Sequence, residues 1–190
     1  MFVVESTAHA PTITDSTHPP PRAVRQFATI DLGIVISALL FIFALIVSAY
    51  FEPRIRALHT LQALIYLFVI IFSLRHSKWG YGVGISIAAF WNYANLFVTT
   101  FIVGGVSKVF LFLSGGPAPN ANALIAVFAA LSHFGLIIFC MSGYLRLPNK
   151  KWHDTGILVI SASLSIGYFA TIVALTAQQY LFVFEKVFHL

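Results

Sequence analysis

Five stretches of this chain, 32–51, 57–74, 79–107, 121–145 and 155–184, carry no Asp, Glu, Lys or Arg. All 11 basic and 6 acidic residues lie outside them. A charge at the bilayer centre is costly, so membrane spans exclude it unless function demands it. A helix needs about 20 apolar residues to cross about 30 Å of hydrocarbon. The pattern predicts an all-α integral membrane protein, a bundle of five transmembrane helices. The spans fall at about 30–51, 57–74, 80–103, 121–145 and 155–183.

The polar punctuation sets the threading. Residues 1–26 are rich in Ser, Thr and Pro and offer no apolar face, so they read as a disordered cytoplasmic tail. Residues 27–190 then form a single five-helix domain. Asp31 is an N-cap or an interfacial charge at the first span. Val47-Ser48-Ala49 fits the small-residue rule for signal cleavage, but the apolar run before it exceeds the usual length of roughly 7–15 residues, so the span is read as retained. Pro53 stops the first helix and a tight hairpin follows, making spans one and two antiparallel neighbours. The third stretch is too long for one crossing. Its helix is expected to end near Val103, where Gly104-Gly105 loosen the chain, with 108–114 a short interfacial piece. Asn120 or Asn122 can cap span four, and Pro148 prevents its continuation. Asp154 favours the start of span five through the helix dipole. That span, read as one helix, should tilt or protrude.

Composition agrees: 59% of residues are hydrophobic and 9% charged, against roughly a quarter charged in a soluble domain. The net charge of +5 does not indicate nucleic acid, because the basic residues sit in short gaps beside apolar spans, as headgroup anchors do. Five crossings put the termini on opposite sides. Arg22, Arg25, Arg75, Lys78, Arg146, Lys150 and Lys151 share the amino-terminal side; Arg54, Arg56, Lys108 and Lys186 share the other. The positive-inside rule therefore predicts a cytoplasmic amino terminus, with a bacterial inner membrane as the setting. Trp79, Tyr144 and Trp152 would mark the inner interface, and Tyr50 and Tyr180 the outer one.

The spans also carry polar side chains. His59, Gln62, Tyr66 and Ser73 line one face of span two, and Asn92, Asn95 and Thr99 one face of span three. His133 lies mid-way along span four. At a rise of about 1.5 Å per residue, Tyr66, Asn92 and His133 share a depth of roughly 14–17 Å from the outer boundary. Gln62 and Asn95 lie about a turn nearer the outside, with His59 at the mouth. These six are the candidate ligand-binding residues: mid-membrane polar groups must face inward, as helix-to-helix hydrogen bonds or as the lining of a site. His133 has no second histidine at its depth to complete a bis-histidine haem site. No His, Cys or carboxylate spacing suggests zinc, so no metal or cofactor is expected.

Other residues read as packing devices. Gly80 and Gly84 stand at small-xxx-small spacing, and Ser163, Gly167, Ala170, Ala174 and Ala177 form a small-residue stripe in span five that should meet another helix, in this chain or a partner. Gly80-Tyr81-Gly82 lacks the Thr-Val and pore helix of a potassium filter. The lone Cys140 cannot form an internal disulfide. No nucleophile elbow, phosphate loop or His-Glu-x-x-His helix is present. The sequence thus favours a non-enzymatic accessory subunit or small-molecule-binding bundle. Its partners are lipid, with a membrane protein or a second copy possible. The alternatives are a carrier or channel for a neutral solute and a haem- or quinone-binding redox subunit.

Overall fold

The computed structural model describes residues 22–148 and 154–188, with side chains of the first helix described from residue 27. The tail up to residue 21, and Lys150, Lys151, Trp152 and His153, lie outside the described residues. The chain is all-helical: α1 (Arg22–Phe51), α2 (Arg56–Leu74), α3 (Lys78–Tyr93), α4 (Phe101–Leu113), α5 (Ala121–Arg146), α6 (Asp154–Thr176) and α7 (Phe182–Phe188). Helices α1, α2, α5 and α6 are long and apolar enough to cross a membrane, and α3 with α4 makes a fifth span if the bent pair counts as one.

Burial is inverted relative to a soluble protein. On α1 the buried stripe is Ile30, Ile34, Ser37, Ala38, Phe41, Ala44 and Leu45, while Leu32, Ile36, Leu39, Phe43 and Ile46 point outward. On α2 the polar residues Gln62, Tyr66 and Ser73 are the buried ones. A face of exposed Leu, Ile and Phe around an interior holding the polar groups is what a lipid solvent selects.

The helices alternate in direction. The start of α1 meets the end of α2 through Phe27 and His76, whose rings lie 4.9 Å apart. The start of α3 meets the start of α6 through Lys78 and Asp154, with both carboxylate oxygens 2.8 Å from Nζ. A Cβ on Gly143, near the end of α5, would come within 2.5 Å of the Tyr81 ring. One end of the bundle therefore holds the starts of α1, α3 and α6 and the ends of α2 and α5. Glycine permits this proximity along α3. A Cβ on Gly80 would run into the Phe72–Ser73 backbone, and one on Gly84 would lie 2.6 Å from the Cys140 sulfur.

Five expectations need correction. Residues 22–26 belong to α1 rather than to the tail. Asp31 is not a cap: it lies inside α1, where its Oδ1 is buried without a hydrogen bond and 3.9 Å from His76 Nδ1. The third span does not run to Val103. A π-helical turn occupies Ala94–Val98, Thr100 adopts φ 56°, and α4 departs at 71°. Side chains make this break. Asn95 Nδ2 donates to Trp91 O, Thr99 Oγ1 donates to Asn95 Oδ1, and Phe101 N donates to Thr99 Oγ1. Gly104 and Gly105 lie inside α4, so the piece expected at 108–114 is a helix beginning at Phe101. The fifth span is not one helix to 183 either. It stops at Thr176, and a 3-10 turn (Gln178–Tyr180) leads into α7. The turn lets Phe184 pack with Ile55, Leu58, Phe90 and Val173 instead of protruding.

Candidate functional site

His133 and Tyr66 close on one another. Tyr66 Oη and His133 Nε2 are 2.7 Å apart, and His133 Nδ1 is 2.8 Å from Ala129 O. A carbonyl only accepts, so Nδ1 carries the proton and donates; Nε2 then accepts from the tyrosine hydroxyl. The Trp91 ring lies parallel to the imidazole at 4.4 Å, and the Phe41 ring meets it edge-on at 4.0 Å. Both nitrogens of His133 are engaged, which leaves no lone pair for iron. Among the described residues, no group of three His, Cys, Asp or Glu side chains could hold a metal.

Asn92 does not join this pair. It is buried, and neither atom of its amide has a hydrogen-bond partner. Eleven residues after Tyr81, it lies on the face of α3 that meets α5. It makes no hydrogen bond to Tyr66 or His133.

His59, Gln62 and Asn95 instead line a cavity of about 240 Å³ at the end of the bundle where α1 gives way to α2. Phe41, Trp91 and Ala129 also line it, so it adjoins the His133 layer; Glu52, Tyr180 and Phe184 contribute as well. The three candidates differ in what they have left to offer. Asn95 has donated to Trp91 O and accepted from Thr99, so its amide is committed to the helix break. His59 places Nδ1 3.1 Å from Leu45 O and so keeps only Nε2 as an acceptor. Gln62 is 2% exposed and makes no hydrogen bond within the protein. At the rim, burial and then the charge of Glu52 push the Tyr180 hydroxyl upward in pKa.

Sequence reasoning passed over the aromatic walls and Glu52, and left Thr99 and Asn122 out of the candidate site. Asn120 caps α5 by accepting from Ala123 N, whereas Asn122 lines the cavity. The signal for Trp91 was its position directly before Asn92, but a search for polar faces ignores it. Of the packing residues, Gly80 and Gly84 sit at close helix contacts. In α6 the inward small residues are Ser161 and Ser165; Ser163 is exposed and a Cβ on Gly167 would meet nothing within 4 Å. Ala177 is buried, and Ala170 and Ala174 are half-buried. No protein-family model matches this chain, and neither a curated protein nor a solved structure proves similar to it.

Proposed function

We propose that this multi-pass membrane protein is a non-enzymatic bundle that binds a small molecule in the cavity beside Gln62. One observation carries the reading: an amide almost wholly removed from solvent faces that cavity with no partner in the protein. Its polar atoms face the cavity, where water or a ligand can hydrogen-bond to them. Tyr66 and His133 spend their polar groups on one another, whereas the Gln62 amide is open to the cavity. A ligand that hydrogen-bonds to Gln62 takes the place of water there. The cavity is somewhat smaller than the range of about 300–1,000 Å³ common for drug-sized ligands, so a compact molecule fits it. The closed Tyr66–His133 pair and the rings around it favour binding over conduction. The basic residues favour a cytoplasmic amino terminus. The outward Ser163 and Gly167 of α6 offer a face to lipid, a partner helix or a second copy.

The test is thermal stability in detergent against a panel of small polar and charged amphiphiles. Stabilisation by a panel member, abolished in a folded Gln62→Leu variant, is the expected result. An unchanged response in Gln62→Leu would mean that binding occurs elsewhere. A panel without effect, together with a destabilised Gln62→Leu, would show that the amide holds the bundle together.

A further inference from the structure

We propose that the cavity selects a small organic ammonium ion, a reading that rests on the binding function above. Six aromatic side chains line the cavity: Phe41, Trp91, Phe101, Phe169, Tyr180 and Phe184. They form walls from different helices. Phe41 and Trp91 stand edge to face at 5.5 Å, and Phe169 and Phe184 lie tilted at 5.9 Å. Ring faces carry the negative part of the aromatic quadrupole and attract alkylammonium groups. The lining includes one carboxylate, Glu52, and neither Lys nor Arg. Glu52 is exposed at the rim, where its charge attracts a cation at the entrance. A carboxylate ligand would be repelled by the Glu52 charge. The hydrogen-bonding groups inside suit a polar arm beside the ammonium: the Gln62 amide can accept from or donate to a hydroxyl, and His59 offers Nε2 as an acceptor. A purely apolar ligand would use neither group. The volume of about 240 Å³ suits a trimethylammonium head with a short polar arm reaching Gln62.

The experiment is a calorimetric titration of the full chain in non-ionic detergent with three probes of equal shape. They are choline, 3,3-dimethylbutan-1-ol, which replaces the ammonium nitrogen by carbon, and 3,3-dimethylbutanoate. Choline is expected to bind about tenfold more tightly than the alcohol, the scale of a desolvated cation–π contact, and the carboxylate not to bind. Glu52→Gln, at an exposed position, is expected to weaken choline about threefold or more and to leave the alcohol unchanged. Equal affinity for choline and the alcohol, with both lost in Gln62→Leu, would overturn ammonium selection and leave the binding function standing. Choline affinity indifferent to Glu52→Gln would overturn it too. Absence of choline binding would overturn it outright, and the Gln62 panel would then decide the broader reading independently.

Discussion

His133 and Gln62 are both buried and polar, yet leucine at each should move stability in opposite directions. The His133 ring accepts from Tyr66 and donates to Ala129. His133→Leu removes a helix-to-helix bond, about 0.6 kcal/mol on average and up to about 1.7 in membrane bundles. It also orphans the tyrosine hydroxyl. Adding Tyr66→Phe should recover part of the loss, and a double-mutant cycle in detergent reads the coupling directly. Purely additive losses would mean that the pair contributes nothing as a pair. Gln62→Leu removes no bond within the protein and replaces an amide by an apolar group beside apolar and aromatic walls, so the ligand-free protein should gain about 1 kcal/mol, seen as a raised Tm. A lowered Tm would reveal a partner for the amide. Spacing and rise were enough to put Tyr66 and His133 at one level and His59, Gln62 and Asn95 nearer the mouth. They could not show that Asn92 stays out of this hydrogen bond, because depth says which residues share a level and not which polar groups pair.

Helices one, two and four were legible because long uncharged runs bounded by Pro53, Arg75 and Arg146 leave little choice. The third was misread because Gly104-Gly105 is the loudest local signal, while the break is made by Asn95, Thr99 and Thr100. Gly105 is small for another reason: a Cβ there would come 2.6 Å from the Cβ of Ala126 in α5. Thr100, with φ 56°, gives a test whose sign decides. A β-branched residue in the left-handed region is strained by about 1–2 kcal/mol. Thr100→Gly should therefore stabilise, whereas glycine inside a continuous helix would destabilise by about 0.5–1 kcal/mol. A chemical-denaturation or Tm shift of the second sign would argue for an unbroken helix. The small residues of α3 and α6 make a matched pair. Gly84→Leu meets Cys140 and Val69 and should cost about 1–3 kcal/mol. Gly167→Leu meets no atom of its own chain. It should leave the monomer's Tm unchanged, and should disperse an oligomer only if that stripe packs on a partner. Equal losses in both monomeric variants would contradict the outward orientation of Gly167.

Whether the bundle crosses the membrane four or five times turns on the bent α3–α4 unit. From Lys78 to Val98 the helix rises about 30 Å, a full hydrocarbon thickness. Its start lies with Asp154 and Gly143, and its end borders the cavity with Asn122 at the start of α5. A returning α4 would have brought the start of α5 back to the end of the bundle that holds Lys78. The contacts thus put the start of α5 at the end of the bundle opposite Lys78, as a crossing by α3 requires, with Phe110, Leu111 and Leu113 of α4 exposed. Single cysteines at Ala57, Ala118 and Pro148, exposed positions that carry no charge, convert this into a measurement. The native Cys140 is fully buried and should not label. With five crossings, Ala57→Cys and Ala118→Cys react with an impermeant maleimide from one side, and Pro148→Cys from the other. With four crossings, Ala118→Cys changes sides and Pro148→Cys joins Ala57→Cys. The same experiment reads orientation. A cytoplasmic amino terminus requires Ala57→Cys and Ala118→Cys to label in intact cells, because one crossing and three crossings respectively separate them from that terminus. Labelling of Pro148→Cys alone would keep the five-span fold and reverse its direction, showing that the asymmetry of basic residues does not orient this chain.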